Sequence, residues 1–408
     1  MPLAIAEGFF MKYPFSARAQ AFDARAINET IQRALASAGL DATSGPMGGV
    51  TETIRRALAS GGLAAASGSP VASESVIDVM AHVVDVGHGG KIAPKPMPST
   101  GEAERPGSFE TREFSNHAGA RSYKIYLPAR IAAAPPPMLV MLHGCTQSAD
   151  DFAAGTQMNR LADEHGFLVV YPEQPPDANA SKCWNWFKAE DQMSNAGEPS
   201  LIAGIVRDVV TRHAVDPRRV FVAGLSAGAA MAVILGETYP ELFAGVGAHS
   251  GLPYGSAHDI PSALAAMKGG RSGLPGLESL WGAAAAPRRK AVQAVPIIVF
   301  HGDRDHIVQQ TNGAEIVQQA RDAHLVEAAT AALRASTQVG TSPGGRSYSR
   351  TVHADATGES RIEFWTLHGA GHAWSGGSAS GSYTDGAGPD ASAEMVRFFL
   401  ALPRAGSA

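Results

Sequence analysis

The sequence predicts an α/β fold: a mainly parallel central sheet flanked by helices, preceded by an N-terminal extension rich in Ala and Gly. Three observations predict it. From Arg121 onward, short apolar β-branched runs alternate with helical stretches, a rhythm that yields parallel strands joined by crossover helices. One run, Arg219-Val220-Phe221-Val222-Ala223, leads directly into Gly224-Leu225-Ser226-Ala227-Gly228 and then into an Ala-rich helical stretch. Two later runs each end in a loop that carries Asp or His.

The elements follow in order. Arg121 to Leu127 and Met138 to Leu142 read as strands, Asp151 to His165 as a helix, Phe167 to Tyr171 as a strand and Leu201 to His213 as a helix. After the strand, tight turn and helix around Ser226 come strands at Pro296 to Phe300 and Arg361 to Leu367, and a last helical stretch from Ala391 to Leu402. Segments 255–295 and 323–358 interrupt the rhythm and read either as a cap over a site or as surface excursions.

Residues 1–107 read as the extension and 108–408 as the α/β domain, whose length suits one large domain. Within the extension, Asn28 to Leu40 recurs from Thr51 to Leu63, each copy patterned as a short amphipathic helix. The duplication reads as a docking segment for a granule, a partner or another subunit, or as a poorly ordered tail. Gly87 to Gly107, with Pro94, Pro96, Pro98 and Pro106, reads as a linker. A net charge of -5 supplies no basic field for nucleic acid. No apolar run approaches the roughly eighteen residues that a membrane span needs.

A G-x-S-x-G pattern among 45 glycines has little force by itself. The strand before it and the helix after it make it specific, because a sharp strand-to-helix turn presents the serine hydroxyl above the sheet and tolerates only very small neighbours. Such a serine needs a base, an orienting carboxylate and oxyanion donors. In His301-Gly302-Asp303-Arg304-Asp305, the spacing after the glycine favours Asp305 as the acid, with Asp303 as the alternative. In His368-Gly369-Ala370-Gly371-His372, the glycine-flanked His372 is the candidate base and His368 its competitor. The loop His143-Gly144-Cys145-Thr146 follows a strand, so the main-chain N–H of Cys145 can join that of Ala227 as an oxyanion donor. No metal-ligand spacing is present, and the chemistry requires no cofactor.

Taken together, His143-Gly144-Cys145, Ser181-Lys182-Cys183-Trp184-Asn185-Trp186, the serine turn, Ala248-His249-Ser250-Gly251-Leu252-Pro253-Tyr254-Gly255 and Gly371-His372-Ala373-Trp374-Ser375-Gly376-Gly377 resemble the polyhydroxybutyrate (PHB) depolymerase-family esterases from about Phe109 to Leu402. The resemblance implies an α/β-hydrolase fold, a Ser226-Asp305-His372 triad and an oxyanion hole from Cys145 and Ala227. It further implies hydrolysis of short-chain 3-hydroxybutyrate-type esters, in polyester or oligomer, through an acyl-enzyme. Feruloyl and acetylxylan esterases are close relatives and give the alternative substrate class; a granule-binding scaffold is the alternative outside enzymes.

Read from composition, Cys145 and Cys183 are two buried thiols; the resemblance implies instead a disulfide between them, and with it an oxidising, extracellular setting. Met1 to Gly8 lacks the basic and apolar regions of a secretory signal. Polymer-degrading relatives often carry a separate substrate-binding domain, whereas this sequence stops soon after the last helical stretch. Oligomers, amorphous polyester or small esters are therefore the expected substrates. Trp184, Tyr254 and Trp374 sit in loop motifs and are expected to line the acyl pocket.

Overall fold

The computed structural model describes residues 107–130, 134–269, 294–328 and 332–403. The duplicated N-terminal segment and most of the proposed linker lie outside the described residues. So does the central part of the interruption at 255–295.

Ten strands form one sheet in the order β1-β2-β4-β3-β5-β6-β7-β10-β9-β8. They are β1 (Ser108–Asn116), β2 (Gly119–Leu127), β3 (Met138–Leu142), β4 (Leu168–Pro172), β5 (Val220–Leu225), β6 (Gly245–His249), β7 (Ile297–Gly302), β8 (Arg334–Thr341), β9 (Ser347–Ala354) and β10 (Ser360–Leu367). The central six, from β4 through β10, run parallel. β3 to β7 are buried along their whole lengths. That explains why β3, β4, β5 and β7 read as continuous apolar runs rather than alternating ones.

Helices cover both faces. On one lie α3 (Gly197–Arg212), α4 (Ala227–Thr238), α5 (Ile260–Met267) and α6 (Thr311–Ala328), packed over Val140, Val222, Val246 and Val299. On the other lie α1 (Ala149–Thr156), α2 (Met158–His165) and α7 (Ala391–Ala401), packed over Met141, Phe221, Phe300 and Trp365. Among the described residues no helix is long and apolar enough to cross a membrane.

Several elements differ from the sequence expectation, among them β6, a glycine-rich run that the sequence reading did not include as a strand. β1 was not anticipated, because its residues are largely polar; it is an edge strand, paired antiparallel with β2 across a tight turn at His117-Ala118, and edges tolerate charge. The stretch read as one helix over Asp151 to His165 is two. Gln157 takes a left-handed conformation with φ 54°, and the final carbonyls of α1 are claimed from outside the helix: Gly155 O by the Ser378 N–H and Thr156 O by Ser392 Oγ. Finally, the interruption at 323–358 is mainly the end of α6 and the β8–β9 hairpin, which extends the sheet beyond β10. It is not a cap.

The parallel strands decide where the chemistry sits. β3, β5, β6, β7 and β10 all end at the same edge of the sheet, so the loops that follow them converge. Those loops begin at His143, Ser226, Ser250, Asp303 and His368.

Candidate active site

Ser226 stands between β5 and α4 with φ 58° and ψ -120°, a region that costs a non-glycine residue of order 1–3 kcal/mol. Two glycines make the turn possible. A Cβ on Gly224 would come within 2.7 Å of the Leu142 carbonyl oxygen, and one on Gly228 would reach 2.6 Å from the His143 carbonyl oxygen and press still closer on that of Leu142. Both contacts are with backbone, which cannot yield cheaply. Gly228→Ala is therefore expected to destabilise the fold by about 2–3 kcal/mol, read as a lowered midpoint in urea unfolding; an unchanged midpoint would mean that the turn has room the geometry denies.

The candidate acid and base are held from two neighbouring loops. Asp305, 2% exposed, accepts the Ile307 and Val308 N–H groups on Oδ1 at 3.0 and 2.9 Å, and His372 Nδ1–H on Oδ2 at 2.8 Å. Burial alone would raise this carboxyl, but the bond and charge of His372 and the Val308 N–H outweigh it and hold Asp305 below the usual carboxylate range. An ionised Asp305 fixes the proton on Nδ1 and leaves Nε2 of His372 as the basic nitrogen. Among the described residues no hydrogen bond joins Ser226 Oγ to His372; such contacts are commonly long before substrate binds.

Asp303 and His368, the alternatives left open by spacing, pair with each other rather than with this arrangement. His368 Nδ1 lies 3.0 Å from Asp303 Oδ2, and Asp303 Oδ1 accepts the Gly369 N–H at 2.7 Å. The two loops thus carry two Asp–His pairs side by side.

The turn after β3 is shaped by polar contacts beneath it. Gln147 Oε1 accepts the Gly144 N–H at 2.9 Å, and the Thr146 N–H is taken by Ser181 O at 2.8 Å. Among the described residues the N–H groups of Cys145 and Ala227 have no acceptor, and Ala227 opens α4, where helix-end donors and dipole favour an anion. Cys145 and Cys183 are joined by a disulfide. Closing a loop of 38 residues contributes about 4 kcal/mol by chain entropy, and it ties the turn to the Trp184–Trp186 segment.

That segment rests on a buried carboxylate that sequence reasoning missed. Glu198, at the start of α3, accepts from Arg121 Nη2 at 3.1 Å, from the Asn185 N–H at 2.8 Å, from Asn185 Nδ2 at 2.7 Å and from Gln174 Nε2. Gln174 also donates its N–H to His143 Nε2 and its amide to Cys183 O. Asp191 lies next to Glu198 and accepts its N–H at 2.6 Å. Burial and the neighbouring Glu198 push Asp191 up to about 7.

A raised acid favours the folded state while it is protonated, so its contribution is full below about pH 4 and is lost as pH climbs through 7. Asp191→Asn should remove that decline and stabilise the protein at pH 8 by roughly 2 kcal/mol, with little change at pH 4. Urea unfolding of both proteins at the two pH values checks it; equal slopes against pH would place the titration elsewhere.

His249 is a second residue whose role the sequence did not reveal. Its carbonyl accepts the Ser226 N–H at 2.9 Å, and its Nε2 accepts the Ser375 N–H at 3.0 Å. The ring stacks between Phe300 and Trp374, and burial lowers it to about 3, so it stays neutral. It links the serine turn to the segment after His372. Its signal in the sequence was only a short run ending in His beside Ser and Gly.

Two of the expected pocket aromatics are corrected. Trp184 and Trp374 are 0% and 1% exposed. Trp184 Nε1 donates to His143 O, and Trp374 Nε1 donates to Ser392 Oγ with its ring against Phe152. They support the site loops from within the core, where large aromatics lose most contact with water. Tyr254 is half-buried and donates its hydroxyl to Gln192 O at 3.0 Å.

Residues 121–341, more than half of the chain, match the family model described as Esterase PHB depolymerase. The chain belongs to this family. The match contains Ser226 and Asp305 and stops short of His372. Among relatives of the family, poly(3-hydroxyalkanoate) depolymerase C of Paucimonas lemoignei is 34% identical over 271 residues, covering 64% of this chain and 61% of that protein. Feruloyl esterase B of Thermothelomyces thermophilus is 29% identical over 220 residues, covering 52% of this chain and 72% of that protein. The matched span is thus less than two thirds of the depolymerase. An acetyl xylan esterase from Aspergillus awamori superposes with a TM-score of 0.54 at 20% identity, covering 72% of this chain and all of that one. The likeness shows a shared fold, the α/β-hydrolase fold.

Proposed function

We propose that this chain is a serine carboxylesterase that hydrolyses short-chain hydroxyalkanoate esters, of the 3-hydroxybutyrate type, through an acyl-enzyme on Ser226. The observation that carries the reading is the strained serine at the end of β5, on the same edge of the sheet as an imidazole fixed by a buried aspartate. His372 Nε2 takes the Ser226 proton as Oγ attacks the ester carbonyl, and Asp305 stabilises the imidazolium. The N–H groups of Cys145 and Ala227 receive the oxyanion. The alcohol leaves with the proton from His372, and water activated by the same nitrogen releases the hydroxy acid. Tyr254 is proposed as part of the acyl pocket.

The substrate class rests on the depolymerase relative, and the feruloyl and acetylxylan esterases supply the second reading. Hydroxybutyrate oligomers, amorphous polyhydroxybutyrate, p-nitrophenyl butyrate, acetylated xylan and methyl ferulate, each with Ser226→Ala as blank, separate the two. Higher kcat/KM on the hydroxybutyrate substrates is expected. Preference for methyl ferulate or acetylated xylan would keep the triad and replace the substrate, and no serine-dependent turnover would overturn the proposal.

A further inference from the structure

Asp303 and His368 do more than form a second hydrogen-bonded pair. Nε2 of His368 lies 2.9 Å from Ser349 Oγ, and this is the serine side chain's only hydrogen bond among the described residues. Burial would raise Asp303, but the His368 and Gly369 bonds hold it below the usual range, so it accepts Nδ1–H and leaves the Nε2 lone pair facing the hydroxyl. Nucleophile, base and orienting carboxylate therefore stand in the same mutual order as in a serine hydrolase triad. They arise from the β7 and β10 loops together with the neighbouring strand β9.

We propose that Ser349, His368 and Asp303 form a second nucleophilic site, one that takes small activated acyl donors such as aryl esters. The imidazole and carboxylate side chains are 40% and 31% exposed, so a small donor in solvent reaches them without an opening motion. As Oγ bonds to the acyl carbon, its proton passes to His368 Nε2. The bond from that carbon to the aryl oxygen then breaks, the aryl oxide leaves with the electron pair, and the proton follows it or is lost to water.

What distinguishes this site from Ser226 is its backbone. Ser349 lies within β9, hydrogen-bonded between β8 and β10, so the main-chain donors around it serve the sheet rather than an oxyanion. Loss of a single oxyanion donor costs about 10²–10³ in rate. Acylation here should be slower than at Ser226 by at least that factor, and the acyl-serine should accumulate.

The experiment uses full-length Ser226→Ala, shown to be folded by circular dichroism, treated with excess p-nitrophenyl acetate and digested for mass spectrometry. An acetyl group on Ser349, with slow release of about one equivalent of p-nitrophenol, is expected. Labelling should vanish in Ser226→Ala/Ser349→Ala and fall about 10²-fold in Ser226→Ala/His368→Gln, which retains a hydrogen-bonding side chain but no base. An unacetylated Ser349 in the folded Ser226→Ala protein, or acetylation unaffected by His368→Gln, would overturn the proposal. Acetylation of Ser226 in the parent, read from the same digest, tests the main site independently.

Discussion

Ser226→Ala should lower kcat on p-nitrophenyl butyrate by about 10⁶-fold, as loss of the nucleophile does in a serine hydrolase whose triad acts as a unit. Alanine keeps the Cβ that already occupies the strained backbone at φ 58°, so neither the turn nor its glycine contacts need shift. The Cys145 and Ala227 N–H groups are backbone and survive the change. KM should therefore move little, and the loss should appear almost wholly in kcat. Steady-state kinetics beside a urea unfolding curve checks both halves. Turnover within about 10²-fold of the parent, at unchanged stability, would remove Ser226 from the chemistry.

Asp305→Asn should cost about 10⁴-fold in kcat. Its Oδ1 can still accept the Ile307 and Val308 N–H groups, which turns the new NH₂ toward His372. Nδ1 must then accept rather than donate, the proton moves to Nε2, and the base is lost while the geometry is kept. Asp303→Asn disturbs His368 instead, because that is the ring Asp303 faces, and should cost at least about 10²-fold less than Asp305→Asn. Parallel kinetics on the two variants assigns the acid; the reverse order of effects would give the role to Asp303.

The comparison also shows how far spacing reaches. Spacing favoured Asp305 over Asp303 and the loop context favoured His372 over His368, but neither showed what the second aspartate and the second histidine do. Which aspartate faces which imidazole depends on how the β7 and β10 loops lie across one another, tied by Asp303 N to Leu367 O and Arg304 N to Ala370 O. The missed supports have the same origin. Glu198 lies before the helix read from Leu201 and carries no signal of its own in the sequence, and only the approach of Arg121, Gln174 and Asn185 from three other parts of the chain makes it the anchor of the Trp184–Trp186 segment. Trp184 and Trp374, read as pocket walls because they sit in loops, are core residues because those loops fold inward and offer their indoles acceptors at His143 O and Ser392 Oγ.

By itself the sequence determined the parallel α/β sheet and the serine turn. Both rest on local physics: buried strands demand continuous apolar runs, and a turn this tight demands glycine on either side of the serine. The tertiary structure seats Asp305 on His372, the pairing the spacing favoured, and it alone decided the rest: Asp303 with His368 and Ser349, Glu198 under the turn after β3, and His249 between the serine and the Ser375 segment. Those contacts join residues tens to more than a hundred positions apart, and their energies depend on burial and direction, which no local spacing encodes.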